Sequence, residues 1–324
     1  MLARYVFLAV ILGAYATLAP AVSELSLPQF SATLDRQWDY AKPAESEQRF
    51  RAEFAQWPPG DPQALIVATQ IARSQGLRRQ FAAANATLDA VEASLDSAPS
   101  HVRVRYLLER GRVFNSAGSP ERAVPLFSAA LSLAGCNDDA FYAVDAAHML
   151  GIAAPAGERL DWNLKAVAMS ERATDPRTRR WLAPLYNNIG QTYLERGAYA
   201  QALDYFRKAL PAWEQRGDAG SVRIARWTIA RAQRSLGQLD DAEKTQRELV
   251  AENERLGDPD GYVYEELALI ALARGDAAGA KPWAAKAHAA LKDDPDLKAN
   301  DPARLARLAR LGEIAAGTAP AAKP

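Results

Sequence analysis

Four residues in the second half of the 324-residue chain carry the clearest chemical signal. Arg223, Trp227, Arg231 and Arg234 step by 4, 4 and 3, so on a helix they share one face. An indole flanked by guanidinium groups can stack on a cation or sit beside a carboxylate that arginine holds in two parallel hydrogen bonds. The competing arrangement is a solvated face whose arginines pair with Glu195, Glu265 or Glu266 on neighbouring helices. A second group, Arg177, Arg179 and Arg180, reads either as a solvated loop or as an anion site.

Catalytic chemistry is harder to assemble. His101, His148 and His288 are widely separated, and the single cysteine is Cys136. His148 reads as a packed or solvated histidine, with a groove-facing ring as the alternative. Cys136 reads as a free thiol, with an intermolecular disulfide as the alternative. The carboxylate pairs Glu45/Glu47 and Asp138/Asp139 read as exposed helix-end partners of the backbone dipole rather than as an acid/base couple. No H-E-x-x-H, G-x-S-x-G, phosphate-binding loop or dinucleotide fingerprint occurs. No catalytic residue, cofactor or metal ligand is therefore assigned. An enzyme with an unrecognised site remains the minor alternative.

The composition shows what must position these side chains. Lys and Arg number 39, as do Asp and Glu, which argues against a nucleic-acid binder that relies on basic excess. The 68 alanines make a helical chain with closely packed helices the natural expectation. Gly76, Gly118, Gly157, Gly197, Gly237 and Gly275 are spaced by 42, 39, 40, 40 and 38. Ala123, Ala202, Ala242 and Ala280 lie five positions after four of them, with Trp162 the exception, and Phe127 and Phe206 nine after two. Between Leu185 and Trp213 the pattern is a helical hairpin. Leu185, Ile189 and Tyr193 form one apolar stripe, Gly197 ends the helix, and Ala202, Phe206, Ala209 and Trp213 form the second stripe. A hairpin with two apolar faces needs stacked neighbours.

The segment Tyr186-x-x-Ile189-Gly190-x-x-Tyr193, followed by Ala202, Phe206 and Ala209, resembles the tetratricopeptide repeat. Gly111-x-x-Phe114 with Ala123, Phe127 and Ala130 resembles it nearly as well. The period of about 40 rather than 34 is similar to the long-unit, kinesin-light-chain type. The resemblance implies an all-α fold, a right-handed α-solenoid of about six hairpins. Units are placed at residues 62–97, 104–136, 139–173, 183–217, 222–257 and 260–293. Pro155 predicts extra residues in the turn of the third. The resemblance also implies a concave groove lined by first helices, with ligand-facing positions at Asn187 and Gln191, at Trp227 and Arg231, and at Glu265. Arg223 and Arg234 share the Trp227 face. Asn187 matches a groove asparagine of the kinesin-light-chain type, and Asn188 packs toward the neighbouring helix.

The flanks complete the plan. Residues 22–61 comprise a polar lead and an amphipathic capping helix between Trp38 and Trp57, ended by Pro58-Pro59-Gly60. Residues 295–314 form a C-terminal capping helix, and 315–324 a disordered tail. Residues 1–21, MLARYVFLAVILGAYATLAPA, place Arg4 before an apolar run and end on Ala-Pro-Ala, the layout of a signal peptide. An uncleaved membrane anchor is the alternative. The expected protein is a periplasmic or secreted, non-catalytic scaffold that binds a protein or peptide in its groove. Nucleic acid is not an expected partner, and the membrane is one only if the leader is retained. A membrane-tethered assembly factor of an envelope machine is the runner-up.

Overall fold

The computed structural model describes residues 25–137 and 139–313, which are helical apart from turns and short loops. The leader at 1–21, the tail at 315–324 and Asp138 lie outside the described residues.

Six helical hairpins follow one another among the described residues. They pair α3 (Pro62–Leu77) with α4 (Phe81–Glu92), α5 (Ser100–Ser116) with α6 (Pro120–Cys136), and α7 (Ala140–Ala153) with α8 (Arg159–Arg172). The short α9 (Pro176–Arg179) leads into α10 (Leu182–Glu195) with α11 (Tyr199–Arg216). Then come α12 (Ala219–Ser235) with α13 (Leu239–Arg255), and α14 (Gly261–Ala273) with α15 (Ala277–Leu291). α1 (Leu27–Asp35) and α2 (Pro43–Phe54) precede the array, and α16 (Pro295–Asn300) and α17 (Pro302–Glu313) close it. Packing runs from each helix to its neighbours, so the molecule is an α-solenoid.

The periodic glycines explain the turns. Gly118, Gly197, Gly237 and Gly275 all have φ between 73° and 83°, the left-handed conformation that stops a helix without a Cβ clash. Two members of the series depart from this. Gly76 stays inside α3, and Arg79 takes the left-handed position at φ 58°. Gly157 lies in the longer turn 154–158 that carries Pro155.

A second set of small residues sets the inter-helix distance. A Cβ on Gly111 or Gly190 would sit 2.5 or 2.6 Å from the ring of Phe127 or Phe206. Each phenyl ring therefore lies flat against the backbone of the preceding helix. Ala123, Ala202, Ala242 and Ala280 are fully buried in the same seams. Glycine and alanine let the backbones approach, and the phenyl ring fills the space that remains.

The N-terminal flank differs from its expected form. The polar lead is helical: α1 begins with a Ser26–Gln29 capping box and carries Pro28 in its first turn, where the missing N–H costs nothing. The helix expected from Trp38 begins at Pro43 instead, and Trp38 stacks on Tyr40 in the intervening loop. Glu47 is not an exposed helix-end carboxylate. It is buried and bonded to Arg51 and Arg78. At the other end, Asp301-Pro302 breaks the capping segment into α16 and α17, and α17 covers the last hairpin with Leu308 buried.

Candidate functional site

The first helices of the first four hairpins, with the end of α11, bring arginines and aromatic rings together around a hollow of about 630 Å³. α1 lies along one side of it. Phe30 and Leu34 of α1 are buried in the first core cluster, and Phe30 meets Trp57 edge-to-face at 5.4 Å. Asp35, at the end of α1, reaches Arg105 on α5 at 3.0 Å and also binds Arg177 on α9. Arg105 donates to the Tyr142 hydroxyl, which lies 3.2 Å from Asp35 Oδ2. Burial works to raise the Asp35 carboxyl, but Arg105 and Arg177 outweigh it and hold the group below its ordinary range. Burial pushes the Tyr142 phenol up to about 12, against the pull of Arg105.

Positive charge exceeds negative charge in this hollow. Arg36, Arg73, Arg105, Arg177, Arg180 and Arg216 line it, with only Asp35, Glu109 and Asp145 to oppose them. Glu109 and Asp145 are further shared with Arg112. Among the described residues no carboxylate lies within ion-pair distance of Arg180 or Arg216, and Asp218 acts on Arg216 from further away. Arg216 Nη1 donates to the Arg180 carbonyl at 3.0 Å, while its buried Nε has no acceptor. Burial, and after it the charge of Arg180, holds the Arg216 guanidinium below its usual range. The indole N–H of Trp181 is also buried without a partner. The 177–180 arginines are thus divided: Arg177 is bonded to Asp35 and stacked on Phe141 at 3.5 Å, and Arg180 lines the hollow.

The α12 arginines are differently placed. Arg234 holds Glu266 with bonds of 2.7 and 3.3 Å, and Arg231 approaches the same carboxylate at 3.8 Å. Arg223 lies 3.8 Å from Asp258. Arg223 and Trp227 line a second cleft of about 600 Å³ with Leu249, Tyr262 and Val263. Trp227 donates to the Tyr262 carbonyl at 3.3 Å. Glu265 is 2% exposed and bound by Arg304 and Arg307 of α17. Gln191 donates to Glu195, and the buried carbonyl oxygen of Asn187 has no donor. Asn188 does pack on the adjacent helix, with Nδ2 3.4 Å from His148 Nδ1. The structure thus places Arg223 and Trp227 on one cleft wall and stacks Arg231 on the Trp227 ring at 5.4 Å, with Arg234 beside it on Glu266, whereas Glu265 is bound by Arg304 and Arg307 instead.

Residues 181–251 match the family model of the tetratricopeptide repeat. That segment, from Trp181 into α13, carries tetratricopeptide repeats. Solved structures superpose on much more of the chain. The apo form of RapI does so with a TM-score of 0.65 at 8% identity, over 89% of this chain and 80% of its own. NprR, solved with its cognate peptide NprX, gives 0.55 at 14% identity, over 89% and 84%. A structure described as a Podosopora anserina kinesin light chain with TPR-like repeats gives 0.50 at 18%, over 58% and 94%. No curated protein matches the sequence.

One of the three histidines closes a long-range relay. Ser31 Oγ lies 2.8 Å from His101 Nε2, and His101 Nδ1 lies 2.8 Å from Asp139 Oδ2. The order of groups is that of a hydrolase relay. Ser31 is fully buried in mid-helix, however, and neither Ser31 nor His101 lines the hollow. The hydroxyl is therefore not presented to a substrate. The relay fastens α1 to α5 and to the start of α7. His148 is half-buried beside Trp181 at 5.0 Å, and its loss of solvent brings it down to about 4, so the ring is neutral near pH 7. Cys136 is exposed at the end of α6.

Proposed function

We propose that this chain is a non-catalytic scaffold that binds a segment of another protein in the hollow between α1 and the first four hairpins. The observation that carries the reading is that this surface already holds a helix through side-chain contacts. α1 docks there through Phe30, Leu34 and Asp35, and an arginine- and aromatic-lined space is left beside it. Large rigid rings and arginines supply most of the energy at binding surfaces. Trp181, Trp213 and Phe141 are all present at the hollow. The peptide held by NprR supports the reading by analogy of fold. The cleft at Arg223 and Trp227 is a second contact region, since those two residues share one cavity wall.

Ala32 lines the hollow from α1. Ala32→Trp should fill the hollow and abolish capture of the partner that the wild-type protein retains, with helicity and melting unchanged. Trp227→Ala with Arg231→Ala, tested beside it, should weaken capture if the second cleft takes part. Retained capture by Ala32→Trp at full occupancy would remove the hollow from the interface.

The chain is further proposed to act outside the cytoplasm, because Arg4, the apolar run and Ala19-Pro20-Ala21 have the order of an export signal. Intact mass of the native protein should begin at Val22. A native protein that starts at Met1 and sediments with membranes would instead support the tethered form.

A further inference from the structure

The fifth hairpin lacks the seam that closes the second and fourth. In those two, Gly111 and Gly190 let the rings of Phe127 and Phe206 lie against the preceding helix. At the same separation along the chain, the fifth hairpin has Ala230 and Gln246. Gln246 is 0% exposed, and neither its amide nitrogen nor its amide oxygen has a hydrogen-bond partner among the described residues. Turning the amide over would leave it no better bonded. The side-chain oxygens of Gln233 on α12 and Asn253 on α13 are buried without a donor as well. A polar group withdrawn from water and left unbonded costs free energy, which opening of the seam recovers. α12 also packs less closely on α13 than α5 does on α6 or α10 on α11.

The apolar core divides at the same seam. Ile229 and Ala232 of α12 pack with Leu203 and Phe206 of the fourth hairpin. Leu249 and Val250 of α13 pack with Leu267 and Ala284 of the sixth. Between them Ala230 and Ala242 meet Ile270 in a small group, and Trp227 reaches across from α12. Ion pairs cross the divide, with their arginines on α12: Arg226 holds Glu248 at 3.0 Å and Glu252 at 2.8 Å on α13, and Arg234 holds Glu266 on α14. Glu266 is buried, but both Arg226 pairs are partly exposed and therefore open to screening. We infer that the α12–α13 seam is a joint, a point of local opening between the hairpins before it and the segment from α13 to α17, latched by Arg226 and loosened by salt. Leu249 and Asn253 of α13 line the same cleft as Arg223 and Trp227 of α12, so movement at the joint changes the width of that cleft.

The test is hydrogen exchange of the full chain, read by mass spectrometry at low and at high sodium chloride. Amides of α12 and α13 should exchange at least about tenfold faster than those of α10 and α11, and the gap should widen in salt. Ala230→Gly with Gln246→Phe rebuilds the Gly190–Phe206 pair in the fifth hairpin. It should slow exchange in α12 and α13 by at least about tenfold, the scale of one unbonded buried amide removed. Circular dichroism establishes that the double variant folds. If it does not, Gln246→Leu, which removes the amide and keeps most of the bulk, should slow exchange in the same direction. Arg226→Gln should raise the low-salt exchange of α12 and α13 toward its high-salt value and leave α10 and α11 unchanged.

Wild-type α12 and α13 as well protected as α10 and α11 would overturn the joint. So would exchange there that neither the rebuilt seam nor Gln246→Leu slows. Exchange in α12 and α13 that ignores both salt and Arg226→Gln would overturn the ionic latch. The joint stands apart from the scaffold reading: Ala32→Trp tests the hollow by partner capture, and neither that variant nor its outcome bears on exchange in the fifth hairpin.

Discussion

The hollow beside α1 and the face of α12 are both built from arginines and aromatic rings, yet they have opposite electrostatic balance. On α12, Arg231 and Arg234 converge on the buried Glu266, and the neighbouring Glu265 is itself claimed by Arg304 and Arg307. In the hollow, three acids face six arginines, and among the described residues Arg180 and Arg216 have no acid within ion-pair distance, with Asp218 acting on Arg216 only from further away. The difference teaches that arginine spacing along a helix does not report binding capacity. What matters is how many carboxylates the rest of the fold brings to the same place. A neutralised arginine cluster fastens helices together, whereas an unneutralised one is a site in waiting.

Removing a carboxylate from each region should expose this difference. Glu266→Ala leaves Arg231 and Arg234 partly buried without their acid. We expect a loss of about 2–3 kcal/mol, less than the ~3–5 of a fully buried pair, because Arg234 keeps some access to water. Calorimetry of the variant checks it, and an unchanged melting temperature would show that the α12 cluster is not a fastening. Asp35→Ala should cost a comparable amount, about 2–3 kcal/mol: Asp35 is itself partly exposed, but its loss leaves Arg105, 2% exposed, without its carboxylate. Its effect should be confined to α1, read as faster proteolysis near residues 35–42 while the later hairpins stay protected.

Ala202→Phe tests the framework that holds both regions at a fixed separation. It overpacks the seam between α10 and α11 and should cost ~1–3 kcal/mol, loosening the neighbouring hairpins as well. Hydrogen exchange across α10 to α13 would show it.

The pH response should be centred near the hollow. His148 binds a proton less readily when folded, down at about 4, than when unfolded, near the ordinary 6.5. Between those values the unfolded chain carries more protons, so stability should fall as pH drops from about 6.5 toward 4. Asp35, held low by its arginines, adds a loss at still lower pH, as the folded carboxyl is protonated. His148→Phe should flatten the upper part of the curve and leave the lower part in place.

The smallest expected effect is that of Arg216→Gln. It removes a guanidinium without an acid partner, so melting should move by no more than ~0.5 kcal/mol in either direction. A large destabilisation would mean that the hollow is as fully neutralised as the α12 face.

The sequence carries the repeat clearly because each signal is local. Gly197 and Ala202 lie within one turn of the hairpin they define, and the Gly190–Phe206 contact spans a single helix pair. Such features recur with the period of the unit and can be found by counting. α1 offered less to count. It is nine residues long, carries a proline in its first turn and belongs to no repeat, so its Ser26–Gln29 capping box was the one sign of a helix. Residues 177–180 gave a visible arginine cluster, but nothing in their spacing separated Arg177, which is paired, from Arg180, which is not.

The sequence by itself determined the helical hairpins, their period and their close seams, because propensity, turn glycines and apolar stripes act over a few residues. Only the tertiary structure decided which charges meet. Asp35 reaches Arg105 across 70 positions and Arg177 across 142, and Ser31 meets His101 across 70. Those distances in sequence are closed by the packing of α1 across the stacked hairpins. Coulombic balance depends on separation in space, so the hollow's excess positive charge appears only once the solenoid has folded.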